Sequence, residues 1–327
     1  MTKNKSSIVY IGRNNNVHDQ RFVEVLSEIF EVREIYTQNS QSRSSQTEVF
    51  SNVILVIAGP LTDAVSAIPL EVKVPIFGIS HAFDLNIEYG DFPILANIKR
   101  CKAIMSDCRH ITNILREIYD FKGKIYEIPW GCDYDFFSKV DIQFESKPSI
   151  LVTRNWFTPY RNEVIVSALE SLELKEFEFE CTFIGDGHLL EKQIQDLWQH
   201  SIKKKLRFLG HQNRLEIRNA MASNWLYISA ASSDGTSISL LEAMAAGMIC
   251  VTTDFPSNRE WIEHSINGFT FPNGDSKALA SLIELISSLS LEEKLEISRA
   301  AKDMVLKRGN WRNNQKTFIS SVMSNVQ

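Results

Sequence analysis

Short β-branched runs alternate with longer amphipathic stretches along most of this 327-residue chain, and that rhythm constrains its fold more than any other feature. Residues 7–11, 53–57, 74–79, 103–105 and 124–128 read as strands, rich in valine, isoleucine and phenylalanine. So do 149–153, 178–184, 207–209, 225–229 and 248–252. Between them, 19–30, 111–119, 162–172, 189–200, 215–222 and 237–246 repeat apolar residues at helical spacing. Strands this uniformly apolar need cover on both faces, and a helix between successive strands supplies it. The pattern therefore predicts an α/β fold with parallel sheets.

The rhythm breaks once. Residues 131–147 are irregular and polar, and beyond Pro148 the alternation starts afresh. Two Rossmann-like halves are expected, 1–135 and 149–305, joined by a linker at 136–148. A last helical stretch within 308–327 is expected to pack back on the first half. The serine-rich segment 38–46 reads as a loop.

Composition then narrows the functional classes. Basic and acidic residues number 35 and 40, for a net charge of −5, and no long basic run stands ready for nucleic acid. No apolar stretch approaches the ~20 residues that cross a bilayer. The apolar run at 8–11 is too short for a secretory signal. Five cysteines form no Cys-x-x-Cys pair and are odd in number, as expected of buried thiols in a reducing compartment and not of a disulfide frame or zinc site. These features together lead us to expect a cytoplasmic protein.

Ligands of open parallel sheets bind beyond the carboxyl ends of the strands. Gly12-Arg13, His81 with Asp84, Arg154, Gly185-Asp186-Gly187 and Asp234-Gly235-Thr236-Ser237 all follow such ends. The stretch 232–247 is the most informative. Thr236 or Ser237 suits the N-cap of a helix that Gly247 closes. Free amides and the helix dipole at that end suit a phosphate. Glu242 lies roughly 9 Å further along the axis, where it is free to meet a ribose, while Asp234 precedes the helix on the other side. A capped core helix carrying two incidental carboxylates has the same pattern.

The segment Asp234 to Glu242, with its Glu242-Ala243-Met244-Ala245-Ala246-Gly247 tail, resembles the Glu-x7-Glu region of the family-4 retaining glycosyltransferases. Their usual form is Glu-Gly-Phe-Gly-Leu-x-x-x-Glu-Ala-Met-Ala-x-Gly. The likeness continues through Asp254, Asn258-Arg259-Glu260 and Asn267-Gly268-Phe269. It extends into the first half at Val17-His18-Asp19 with Arg21-Phe22, at His81 to Asp84, and at Ile128-Pro129-Trp130-Gly131-Cys132-Asp133. The resemblance implies the GT-B architecture, two Rossmann-like domains facing across a cleft. It also implies transfer of a hexosyl or N-acetylhexosaminyl group, with retention, from a nucleoside diphosphate sugar to an acceptor hydroxyl in bacterial surface glycan synthesis.

Roles follow residue by residue from that resemblance. Glu242 would meet the ribose, and Asp234 the transferred sugar, although Asp is one methylene shorter than the usual Glu. The amides of Ser237 and Ile238 would hold the diphosphate together with Arg154, and Arg161 would stand in for the usual lysine. His81 would touch the donor sugar as a catalytic group, and Gly12 would approach the diphosphate. Gly185 would lie near the nucleoside and His211 near the base, while His18 and Arg21 would face the acceptor. The resemblance implies no metal and no cofactor beyond the sugar nucleotide. Expected partners are the donor and a glycan, lipid-linked saccharide or other hydroxyl acceptor, with peripheral association at the inner membrane face and no nucleic acid. Asp133-Tyr134-Asp135 has the Asp-x-Asp spacing of metal-dependent glycosyltransferases, but it falls in the expected linker and reads as structural. Lys203-Lys204-Lys205 reads as a solvated helix end. A non-catalytic sugar-nucleotide-binding or partner subunit and a GT-B epimerase are the alternatives. A dinucleotide dehydrogenase is disfavoured, since no Gly-x-Gly-x-x-Gly follows the first strand.

Overall fold

A computed structural model describes residues 5–13, 17–37, 47–61, 63–81, 94–196 and 201–326. The chain divides into two compact units. Unit 1 comprises Met1–Pro129 and Arg312–Gln327, and unit 2 comprises Trp130–Trp311. Unit 1 carries strands β1 (Ser7–Arg13), β2 (Glu31–Thr37), β3 (Val53–Ala58), β4 (Ile76–Ile79), β5 (Ala103–Ser106) and β6 (Lys124–Glu127). Unit 2 carries β7 (Ser149–Val152), β8 (Glu180–Phe183), β9 (Leu206–Phe208), β10 (Leu226–Ser229), β11 (Ile249–Thr253) and β12 (Phe269–Phe271).

Each unit is built on one six-stranded sheet in which every pairing is parallel. The strand order is β2-β1-β3-β4-β5-β6 in unit 1 and β9-β8-β7-β10-β11-β12 in unit 2. Both orders have the doubly wound form, in which the chain runs outward from a first strand and then returns to that strand's other side. The reversal falls between β1 and β3 in unit 1 and between β7 and β10 in unit 2. A crevice opens at such a point because the connections leave it in opposite directions. Central strands are sealed on both faces: Ile8–Ile11 in β1 and Leu226–Ile228 in β10 are fully buried.

Two strands differ from the sequence expectation, since β2 and β12 were not anticipated. Both are edge strands. β2 reads Glu-Val-Arg-Glu-Ile-Tyr-Thr and has no buried residue, while β12 has only three residues. Exposed edges favour charge and brevity because these discourage pairing with another chain. The same features erase the apolar run that marks a strand in sequence.

The stretch 136–148, expected as a linker, is instead part of unit 2. Phe137 and Val140 are buried against Leu240, Leu241 and Met244. Asp133 caps the short helix Tyr134–Phe137 and accepts a 2.6 Å hydrogen bond from Arg214 Nη2, a structural use of the Asp-x-Asp motif. The chain leaves and re-enters unit 1 at neighbouring points. There the Cys132 amide donates to the Gly309 carbonyl at 2.8 Å and the Trp311 amide to the Cys132 carbonyl at 2.9 Å. The last helix, Trp311–Met323, places Phe318 in unit 1, with ring centroids 5.0 Å from Phe22 and 6.3 Å from Phe77. All five cysteines are buried free thiols. Among the described residues, no helix is long and apolar enough to cross a membrane.

Candidate functional site

In unit 2 the chemistry gathers at the β7/β10 reversal. β7 ends at Val152 and leads through Thr153 to Arg154, while β10 leads through the loop at 230–236 to the helix Ile238–Ala246. Ser237 is the N-cap of that helix, its Oγ accepting from the Leu240 amide at 3.4 Å. Gly247 closes it in the left-handed conformation at φ 89°, and the Met248 and Gly247 amides return to the Ala243 and Met244 carbonyls. The helix therefore begins and ends where capping chemistry predicts, and its apolar residues bury it against the sheet.

Arg154 lies across the N-terminus of this helix. Its Nη2 donates to Asp234 Oδ2 at 2.6 Å, and its Nη1 donates to Ser237 Oγ at 3.0 Å and Ser239 Oγ at 3.1 Å. The two ion-paired side chains are only 10% and 13% exposed. The Tyr160 ring covers the guanidinium, with its centroid 4.0 Å from Cζ. Asn162, the first residue of the helix Asn162–Glu173, donates to the Arg154 carbonyl at 3.0 Å and fixes the backbone. Burial works against the Arg154 charge, but Asp234, together with the Tyr160 and Tyr227 hydroxyls, outweighs it. The guanidinium is thereby held above its ordinary pKa. One donor, Nε, is buried and has no hydrogen-bond partner. A buried donor left unmet costs about 1–3 kcal/mol, so Nε is a group that gains by donating to an oxygen of a bound ligand.

The other expected residues of unit 2 fall around this centre. Ile238 is the first residue of the helix, so its amide belongs to the free N-terminal set. Glu242 is half-buried and three residues beyond Ser239, hence on the same helix face as the hydroxyl that Arg154 holds. The Gly185–Gly187 turn packs on the segment after Arg154. The Trp156 amide donates to the Asp186 carbonyl at 2.8 Å, and the Asp186 amide donates to Asn155 Oδ1 at 3.2 Å. The His211 amide donates to Asp186 Oδ1 at 3.1 Å, bringing Gly185 and His211 into one cluster of loops. Arg161 lies elsewhere. Its Nη1 donates to Asn273 Oδ1 at 3.2 Å and its Nε lies 3.5 Å from Glu163, on a backbone that is left-handed at φ 48°. Tyr160, not Arg161, is the neighbour that touches Arg154.

A second cluster sits at the strand ends of unit 1. Asp19, fully buried in the helix Val17–Ser27, accepts from Tyr10 Oη at 2.6 Å and from the Arg13 amide at 2.9 Å. Burial raises its carboxyl above the ordinary 3.8, although both hydrogen bonds pull the other way. Gly12 is required by close packing, since a Cβ there would stand 2.7 Å from the Tyr10 ring and 2.9 Å from Asp19 Cγ. His81 follows β4 and is buried. Burial first, then the charges of Arg13 and His18, push its imidazole down to about 3. It is therefore neutral at physiological pH, a state in which an imidazole offers hydrogen bonds but no positive charge. His18 and Arg21 share one face of the first helix and are half-buried. Asp84, paired with His81 in the motif, lies outside the described residues.

Sequence reasoning missed three residues of these clusters. Ser239 is signalled by its i, i+3 spacing to Glu242. Asp19 stands in the Val17-His18-Asp19 motif, in the first turn of a helix behind an apolar strand, but nothing local marks it as buried. Tyr160 carries no sequence signal, because its contact with Arg154 exists only once the loop after β7 is folded. Among the described residues, no group of three His, Cys, Asp or Glu side chains is arranged to hold a metal ion.

Two doubly wound parallel-sheet units, one with an arginine and a helix N-terminus at its strand reversal, define a GT-B protein. The same architecture is seen in Anabaena HepE, solved with UDP and glucose, at a TM-score of 0.76 and 14% identity, covering 98% of this chain and 100% of that one. The family model for glycosyl transferases group 1 matches residues 136–304, and the chain belongs to that family. Curated relatives are bacterial glycosyltransferases. The amylovoran biosynthesis glycosyltransferase AmsK of Erwinia amylovora is 28% identical over 130 residues, covering 38% of this chain and 32% of that protein. The UDP-Gal:alpha-D-GlcNAc-diphosphoundecaprenol alpha-1,3-galactosyltransferase of Escherichia coli is 24% identical over 176 residues, covering 49% and 44%. The matched segments span less than half the length of either relative.

Proposed function

We propose that this protein is a metal-independent retaining glycosyltransferase that moves a sugar from a nucleoside diphosphate sugar to an acceptor hydroxyl in bacterial surface glycan synthesis. The observation that carries the reading is the Arg154 guanidinium, one buried donor of which is unmet, beside the Ser237 helix terminus. A fixed cation and a row of oriented amides stabilise the charge that develops on a departing diphosphate. The acceptor oxygen bonds to the anomeric carbon on the face from which the diphosphate leaves. The bond between the anomeric carbon and the diphosphate oxygen breaks, its electron pair stays on that oxygen, and a diphosphate oxygen takes the acceptor proton.

Glu242 holds the ribose, the Ser237 and Ile238 amides the diphosphate, and Gly185 and His211 the nucleoside. Asp234 and neutral His81 bind hydroxyls of the transferred sugar. The Gly12 turn approaches the diphosphate, and His18 and Arg21 meet the acceptor. A uridine nucleotide and a lipid-linked acceptor are the first choices, in keeping with the UDP bound to HepE and the donor and acceptor named for the Escherichia coli relative.

The test is a panel of uridine, guanosine and adenosine diphosphate sugars with lipid-linked and polysaccharide acceptors. Nucleoside diphosphate release and the anomeric configuration of the product are measured with and without a chelator. Retained configuration, chelator resistance and loss of turnover in Arg154→Ala and Glu242→Ala support the proposal. Binding without turnover indicates a sugar-nucleotide-binding subunit, and isomerised sugar still attached to nucleotide indicates an epimerase. An inverted product refutes retention.

A further inference from the structure

We propose that Asp234 competes with the ligand's phosphate for Arg154, so that nucleoside diphosphate binding exchanges one anion for another and product release returns the carboxylate to the guanidinium. This rests on the reading of the site as one for a nucleoside diphosphate, and it adds a role for Asp234 apart from contact with the sugar. The evidence is how the guanidinium donors are used. Nη1 is taken by Ser237 and Ser239, and Nη2 by Asp234 Oδ2 at 2.6 Å. The edge formed by Nε and Nη2 matches a pair of oxygens on one anion. Asp234 fills only half of it, because its second oxygen, Oδ1, accepts from the Gly235 amide at 3.0 Å while Nε stays buried and unbonded.

Asp234 is thus a counter-ion of inferior geometry for this guanidinium edge. A phosphate that brings two oxygens to the Nε–Nη2 edge satisfies both donors and displaces the carboxylate. The freed Asp234 then stands beside the bound ligand, its backbone anchored by the Ser257 hydroxyl at 2.9 Å on the Asp234 carbonyl. When the nucleoside diphosphate leaves, the carboxylate is already within reach of the guanidinium. Tyr160 over one face of Arg154, and the two serines on Nη1, keep the cation in place through the exchange.

The experiment measures calorimetric affinity for whichever of UDP, GDP and ADP the unaltered protein binds most tightly. It compares that protein with Asp234→Asn, Arg154→Ala and the double variant. Asp234→Asn is expected to bind about tenfold more tightly, equivalent to about 1.4 kcal/mol. That gain is expected to vanish when Arg154 is also alanine, the double variant matching Arg154→Ala within about twofold. Asp234→Ser, which removes the carboxylate with a different shape, is expected to tighten binding likewise and carries the test if Asp234→Asn misfolds. Equal or weaker binding in both carboxylate-free variants, with Arg154→Ala still impaired, overturns the competition alone. Tightening that persists in the Arg154→Ala background also overturns it, since the carboxylate would then act by general repulsion. Arg154→Ala binding as well as the unaltered protein removes both this inference and the reading of the site beneath it.

Discussion

Phe318 tests whether the last helix is structurally part of unit 1, although 182 residues of unit 2, Trp130–Trp311, separate it from the rest of that unit. Its side chain is fully buried, against Phe22 of the first helix at 5.0 Å and Phe77 of β4 at 6.3 Å between ring centroids. Truncating a buried phenylalanine to alanine costs about 3–5 kcal/mol, from lost transfer energy and the cavity left behind. The two aromatic contacts place Phe318→Ala near the middle of that range, about 4 kcal/mol, because their extra attraction of about 0.5–1.5 kcal/mol each overlaps the burial term. A loss of that size is a large share of the 5–15 kcal/mol that holds a typical domain together. All six tryptophans lie within 130–311, and with Trp311, which opens the last helix, replaced by Phe in every protein compared, indole fluorescence follows unit 2 while far-ultraviolet circular dichroism follows both units. Urea unfolding of Phe318→Ala is expected to show an early dichroism phase with the fluorescence midpoint close to that of the unaltered protein. A loss below about 1 kcal/mol, in the range of an exposed side chain, refutes the packing argument. Fluorescence and dichroism midpoints that fall by equal amounts refute the assignment of the helix to unit 1.

Three further outcomes are expected. The Asp19 carboxyl is held above 3.8 by burial, so its contribution to stability is fully present below the unfolded value and is lost as pH rises through the raised folded value. The urea stability of the unaltered protein relative to Asp19→Asn should therefore fall as pH rises from about 4, and a difference that grows with pH contradicts burial as the dominant effect. Gly12→Ala places a Cβ 2.7 Å from the Tyr10 ring, and the resulting overpacking should cost about 1–3 kcal/mol in the thermal or urea unfolding of unit 1. Tyr160→Leu should lose about 0.5–2 kcal/mol in unit 2 by uncovering Arg154, while Tyr160→Phe, which keeps the ring face, should lose much less. Equal losses in the two Tyr160 variants would point to the hydroxyl and not to the ring.

The interior strands were legible in the sequence because burial on both faces demands an unbroken apolar run, as at Ile8–Ile11 and in β3 and β10. The edge strands β2 and β12 were not: exposure lets β2 carry charge, and β12, although Phe269 and Phe271 are buried, is only three residues long. The helix from Ile238 was legible at both ends, since a serine cap and a left-handed glycine are local requirements. Residues 136–148 read as a linker because their apolar members are too few to form a pattern, yet Phe137 and Val140 complete the core beneath that same helix.

The sequence by itself determined what is local or periodic: the α/β class, the two doubly wound units, the glycine turns, and the candidate residues that follow strand ends. Tertiary structure decided what depends on distant segments arriving together. It brought Asp234 and Ser239 to Arg154 across 80 and 85 residues, set Tyr160 and not Arg161 beside that guanidinium, and buried His81 so that its ring is neutral. The reason is physical. Periodicity and capping are satisfied within a few residues of chain, whereas the charge, partners and burial of a side chain are set by whatever the fold packs against it.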